Sequence, residues 1–132
     1  MAALSKIRLQ LKSNEWLVMV VKALEYYRDS LNYNVIPYQD NYVNEFKATS
    51  SMVAHMINKY QLRMAGLYTT SKPRLQEYYH DALLLREALQ YYQAQTTNIL
   101  HNVRCGSLYE ELDLQIVDME NRIIKNRLIQ NQ

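Results

Sequence analysis

An unbroken run of helical spacing over residues 73–106 constrains the fold of this chain more than any other feature of its sequence. Apolar or small residues recur there every three or four positions, at Leu75, Tyr78, Ala82, Leu85, Leu89, Tyr92, Thr96, Ile99 and Val103. This spacing lays one apolar seam along a helix, wide enough to face a core. Pro73 suits a first helical turn, and Gly106 suits a helix end. The pattern therefore predicts one helix over residues 73–106.

A scarcity of helix-breaking residues extends this prediction to the whole chain. Only two Gly and two Pro occur among 132 residues, whereas a sheet protein of this size needs many turns. Apolar residues make up 48% and charged residues 21%, which is typical of a globular chain and not of a disordered one. We therefore expect an all-α fold in which residues 1–132 form a single domain, an elongated antiparallel bundle of four main helices.

Three further helices are predicted around the central one. The first covers about residues 14–31 and the second about residues 40–67. The last begins at Ser107, because Ser107 and Glu110 match a capping box, in which each side chain bonds the backbone N–H of the other. Since only two residues separate this helix from the central one, the two are expected to form an antiparallel hairpin.

The amino-terminal segment, residues 1–12, fits two patterns. Leu4, Ile7 and Leu11 have helical spacing, whereas Ile7, Leu9 and Leu11 alternate as in a strand. We predict a short helix, or an arm that becomes ordered against a partner.

Apolar residues lie on two faces of the last predicted helix. One stripe consists of Leu112, Ile116, Met119 and Ile123, and the other, nearly opposite at about 100° per residue, consists of Leu114, Val117, Ile124 and Leu128. The first stripe can pack against the central helix. The second must be covered either by the amino-terminal helices or by another copy of the chain, since monomers seldom expose such a surface. We predict that the second stripe mediates self-association as a homodimer.

The sequence offers no complete catalytic or metal-binding pattern. The segment 77–80 is a Glu-x-x-His motif, but helical di-iron sites need two copies and this one occurs once. His101 and Cys105 are four residues apart, yet no second cysteine is present to complete a zinc site. Two glycines cannot supply a glycine-rich phosphate loop. We therefore predict a non-enzymatic protein that holds no metal and no cofactor.

Two features bear on the compartment. The single cysteine, Cys105, excludes an internal disulfide and fits a reducing environment. The longest apolar run, residues 16–21, is too short to cross a bilayer and has no adjoining cleavage site of a secretory signal. We expect a soluble, cytoplasmic protein with no membrane partner.

A group of basic residues supports an alternative function. It consists of His55, Lys59 and Arg63, spaced by four, and of Lys72 and Arg74 after a turn that contains Tyr68. Basic groups beside aromatic rings can hold phosphates and stack on bases. The basic amino-terminal segment, with Lys6, Arg8 and Lys12, would add to such a patch. However, a solvated helix face with ordinary Tyr packing accounts for the same pattern and is more common, so nucleic-acid binding is the alternative and not the first hypothesis.

These features together favour a protein that acts by association. Self-assembly is the first hypothesis, and a small helical chain with 12 Tyr, rich also in Asn and Gln, has the character of a viral or mobile-element accessory or structural protein. Nucleic-acid binding is the second hypothesis. The third hypothesis is that the chain binds a host protein and inhibits it by covering its surface. Nothing in the sequence distinguishes the third hypothesis from the first.

Overall fold

A computed structural model of the chain describes residues 6–32, 48–65 and 72–130. In chain order these residues form β1 (Ile7–Gln10), α1 (Asn14–Asn32), α2 (Ser50–Ala65), β2 (Arg74–Glu77), α3 (Tyr79–Gln95) and α4 (Ile99–Gln130). Helices hold 81% of the described residues. The all-α prediction therefore fits broadly, with the addition of a small sheet.

Strands β1 and β2 form a two-stranded antiparallel sheet in which Leu9 lies opposite Leu75. The prediction of a short helix or an arm over residues 1–12 is therefore wrong for Ile7–Gln10. The alternating pattern prevails over the helical one because it places every apolar side chain of residues 6–12 in the core. Those side chains are Ile7, Leu9 and Leu11, all of them buried.

The single helix predicted over residues 73–106 is also wrong, because the segment is divided among β2, α3 and the first turns of α4. Thr96 ends α3 with an extended backbone. Two residues later the side-chain oxygen of Asn98 accepts the backbone N–H of His101 at 3.0 Å, which caps the start of α4. The local run Thr-Thr-Asn interrupts the helix, since β-branched and side-chain-capping residues favour helix ends over interiors.

The predicted boundary at Gly106 and Ser107 does not exist, because both residues lie inside α4, which is 32 residues long from Ile99 to Gln130. Their neighbours Cys105 and Leu108 are both buried. Continuing the helix keeps both side chains in the core, which outweighs the possible capping box. The hairpin is present, but its turn lies at residues 96–98.

Helix α1 lies at the centre of the helical packing, in contact with α2 and α3, and α3 packs in turn against α4. Helix α1 begins and ends where the sequence predicted. Helix α2 begins at Ser50, where the Thr49 hydroxyl accepts the backbone N–H of Met52 at 3.2 Å. The start predicted for this helix, at residue 40, lies outside the described residues.

Polar contacts show that α3 and α4 run in opposite directions. In order along α4 they are Asn102 Nδ2 to the Gln93 carbonyl at 2.9 Å, Asp113 to Arg86 at 2.8 Å, and Glu120 to the Tyr79 hydroxyl at 2.6 Å. Positions rise on α4 as they fall on α3. The pairing of the two helices thus fixes which face of α4 is turned towards the core.

Replacing Gly106 by Ala tests whether α4 is continuous. In a helix interior this change raises the free energy of unfolding by about 0.5–1 kcal/mol. A Cβ at this position would lie 2.9 Å from Gln93 Nε2, the movable end of a flexible side chain. Chemical denaturation measures the change. If Gly106 instead ended a helix in a left-handed conformation, Ala would destabilise the protein by about 1 kcal/mol.

Candidate functional site

Helix α4 carries an exposed apolar stripe on the face turned away from the core. The buried residues of this helix are Cys105, Leu108, Leu112 and Ile116. The α4 stripe lies opposite them and consists of Leu114 (72% exposed), Val117 (42%), Ile124 (45%) and Leu128 (62%). These are the four residues that the sequence assigned to self-association. The described parts of the amino-terminal helices leave them accessible.

The exposed face continues towards the start of α4. Ile99 is 81% exposed and Val103 is 63% exposed. Ile99 and Val117 are eighteen residues apart, which is about five full turns, so they point in the same direction. The sequence assigned Ile99 and Val103 to the buried seam of the central helix, and this assignment is wrong because both residues belong to the helix after the turn.

Asn121 lies in the middle of the α4 stripe, which sequence reasoning missed because it followed apolar residues only. Together with Asn121 the stripe advances by three, four, three and four residues from Leu114 to Leu128. This alternation is the spacing of the contact positions in a left-handed coiled coil. A single polar Asn at such a position lowers stability but helps to fix the register of two paired helices.

The carboxy-terminal part of α4 stands clear of the protein body. Ile116 is its last buried residue, and every residue over 124–130 is exposed. Before that end, Glu120 contacts α3 through the Tyr79 hydroxyl, and Met119 packs against the core. The fully exposed end is therefore residues 124–130, or roughly 10 Å at about 1.5 Å per residue. Its apolar side chains are accessible to another helix from the side.

Acidic and basic residues are segregated along α4. Within α4, residues 107–120, the acidic half, hold Glu110, Glu111, Asp113, Asp118 and Glu120 without a base, and residues 121–130, the basic half, hold Arg122, Lys125 and Arg127 without an acid. The sequence suggests that the acids complement the helix dipole at a helix start. That explanation is wrong for them, since α4 begins at Ile99 and its first turn contains no acid.

Lys59, which the sequence placed in a nucleic-acid site, forms an ion pair within the fold. Its ammonium group contacts the carboxylate of Glu77, which is only 4% exposed. The same carboxylate accepts the Tyr60 hydroxyl at 3.0 Å. This bond and burial, with burial the larger cause, raise the pKa of Tyr60 well above its usual value. Tyr60 is therefore a buried anchor between α2 and β2, and no base can stack on it.

The remaining residues of the predicted nucleic-acid site are divided between two elements. His55 is exposed and Arg63 half-buried on α2, whereas Lys72 and Arg74 are exposed beside and on β2. Tyr68 lies outside the described residues. These residues thus lie on or beside two different elements, α2 and β2, which the Lys59–Glu77 ion pair joins.

Neither the Glu-x-x-His segment nor the pair of His101 and Cys105 has the geometry of a metal site. Glu77 is buried on β2, so the Glu-x-x-His segment is not on one helix face. Cys105 is fully buried with its Sγ 3.9 Å from Met19 Sδ, and burial raises the pKa of its thiol to about 12. The His101 Nδ1 atom instead lies 2.8 Å from the Tyr92 hydroxyl. Within the described ranges, no group of three His, Cys, Asp or Glu side chains is placed to hold a metal ion.

None of the described helices combines the length and the apolarity that crossing a bilayer requires. Comparison with known protein families, with curated proteins and with solved structures finds no match for this chain.

Replacing Lys59 by Met distinguishes a structural ion pair from a phosphate-binding residue. The variant leaves the Glu77 carboxylate buried without its cation, and we expect a loss of about 1–3 kcal/mol in the free energy of unfolding. Lys72→Met is the matched control, since an exposed residue of this kind changes stability by about 0.5 kcal/mol at most. Equal stabilities of the two variants in urea denaturation would contradict the structural role.

Proposed function

We propose that this protein acts by association and not by catalysis, and that it forms a homodimer through the α4 stripe. The observation that supports this proposal is the exposure of Leu114, Val117, Ile124 and Leu128 on the outward face of α4. Apolar surface of this kind gains roughly 25 cal/mol for each Å² that is removed from water. The length of α4 also supports the prediction that the helices form an elongated antiparallel bundle.

The charge pattern of α4 favours a second copy of the same helix as the partner. If two copies of α4 pair in opposite directions about the point between residues 122 and 123, Asp118 faces Lys125 of the second copy. Glu120 then faces the second copy's Arg127. Each pair occurs twice because the arrangement is symmetric. Opposite charges at these flanking positions are the usual means by which paired helices select a partner and an orientation.

A parallel pair of α4 helices is disfavoured by the same charges. It would align the acidic half of one copy with the acidic half of the other, and Glu110 would lie in the line of contact residues. Like charges side by side destabilise an interface. In the antiparallel pair, Val117 faces Leu128 and Asn121 faces Ile124. The dimer we propose is therefore antiparallel.

A role as a viral or mobile-element accessory protein, or as an inhibitor of a host factor, stays a prediction from the sequence. Either role is compatible with an exposed helix that binds another protein. The proposed homodimer does not require them.

Single substitutions in the α4 stripe test the dimer. Val117→Glu and Leu128→Glu each place a charge in the proposed contact, so both variants should be monomeric under conditions where the wild-type protein is dimeric. Asn126→Glu adds the same charge on the opposite side of the free helix and should leave the dimer intact. Light scattering coupled to size-exclusion chromatography gives the masses. A wild-type monomer at the highest soluble concentration would refute self-association.

Disulfide trapping tests the orientation. In the antiparallel pair Val117 lies opposite Leu128, so a mixture of Val117→Cys and Leu128→Cys proteins should form a mixed disulfide under mild oxidation. Because position 117 of one copy lies opposite position 128 of the other, the two copies of position 117 are offset by eleven residues, or roughly 16 Å, along the helix axis. A disulfide needs Cα atoms within about 7 Å. Val117→Cys alone should therefore remain unlinked.

The control for this experiment is the wild-type chain, whose buried Cys105 should not react. A disulfide between two Val117→Cys chains would show a parallel dimer. That result would support self-association through the α4 stripe and would refute the antiparallel orientation.

A further inference from the structure

The outward face of the two-stranded sheet carries a second surface, separate from the α4 stripe. Alternation along β1 and β2 turns one set of side chains into the core and the other set to solvent. The solvent-facing strand residues are Arg8, Gln10, Arg74 and Gln76. Together with the exposed residues that flank the strands, which are Lys6, Lys12, Lys72 and Tyr78, we call them the ribbon face. The Lys12 ammonium group lies 5.4 Å from the centre of the Trp16 ring of α1, at the edge of this surface.

Pairing across the sheet holds these residues in two parallel rows. Arg8 lies opposite Gln76, and Gln10 lies opposite Arg74. The alignment continues at one end of the sheet, where the Lys6 ammonium group lies 5.0 Å from the centre of the Tyr78 ring. The sequence suggested only that the basic amino-terminal residues could add to a patch with Lys72 and Arg74, and the strand pairing gives their alignment.

The ribbon face is strongly basic. It contains five cations and no carboxylate, although the whole chain has a net charge of only +2. None of these five cations takes part in an ion pair between described residues. Arg74 donates instead to the neutral Gln10 side chain at 3.3 Å. Uncompensated like charges held this close together attract a polyanion.

The edge of β1 that does not pair with β2 is bonded to α4, and this contact restricts the movement of the ribbon face. The Gln115 side chain accepts the Arg8 backbone N–H at 3.1 Å and donates to the Arg8 carbonyl at 2.7 Å. On the inner side, Leu9 and Leu75 are buried in the core. A surface fixed from both sides binds its ligand without the cost of ordering it.

We propose that the ribbon face binds duplex DNA, with the two strands lying in the major groove. The major groove of B-form DNA is wide enough to admit a two-stranded ribbon. Lys and Arg side chains bind the phosphates, and Arg and Gln are the residue types that bond to the edges of guanine and adenine. This binding site is additional to the proposed dimer interface and does not depend on it.

Two other polyanions fit the ribbon face less well. Duplex RNA has a deep, narrow major groove that a ribbon cannot enter. Stable binding to an anionic membrane usually combines basic residues with apolar side chains or lipid groups that insert into the bilayer. The ribbon face exposes no aliphatic side chain except the stems of its Lys, Arg and Gln residues.

Salt dependence of DNA binding gives a quantitative test. Affinity for a short labelled DNA duplex, measured by fluorescence anisotropy, should fall with a logarithmic slope of about −0.9 for each phosphate neutralised. With five contacts, a fourfold rise in salt lowers the affinity by about 500-fold. In the double variant Arg8→Gln/Arg74→Gln three contacts remain, and the same rise lowers it by about 40-fold.

The matched control is the double variant Lys22→Gln/Arg28→Gln, which removes two cations of α1 outside both the ribbon face and the α4 stripe and should keep the wild-type slope. Thermal melting confirms that each variant is folded. Absence of binding at low salt would overturn the proposal, and so would a slope that the ribbon variant does not change. Equal affinity for a duplex RNA of the same sequence would refute insertion into the major groove. Binding to vesicles of anionic lipid in place of DNA would assign the surface to a membrane.

Discussion

The packing of α4 against α3 is the interaction on which the rest of the structure depends. Leu108, Leu112 and Ile116 are buried on one side of α4, and the polar contacts to α3 fix the direction and register of the two helices. Because these contacts hold one face in the core, the opposite face is turned to solvent along the whole length of the helix. Both the α4 stripe and the clear carboxy-terminal end follow from this one arrangement.

The same helix also holds the sheet in place. Gln115 bonds both backbone groups of Arg8, and adjacent helix residues point about 100° apart, so Leu114 and Gln115 face different directions. The α4 stripe and the ribbon face are therefore carried on different sides of α4. An antiparallel dimer would present two ribbon faces in one particle, which would strengthen binding to a long polyanion without any new contact.

The ion pair of Lys59 with Glu77 shows that a Lys predicted from the sequence to bind phosphate can be engaged within the fold. A Lys on a helix ridge looks free to bind phosphate, yet here its ammonium group neutralises a carboxylate that is 4% exposed. The surrounding apolar residues raise the cost of leaving such a carboxylate unpaired. In contrast, Arg74 keeps its charge at the surface because alternation along β2 turns it outwards, and Lys72 is exposed just before the strand.

Spacing along single segments was enough to predict that the chain is mostly helical, where α1 lies, and that the last helix has a second apolar face. It was not enough to predict that residues 7–10 form a strand or that α4 runs through Gly106. Each of these local patterns was compatible with two conformations, and burial against distant residues selected one of them. The ribbon face likewise depends on pairing between segments about 65 residues apart, which periodicity within either segment cannot detect.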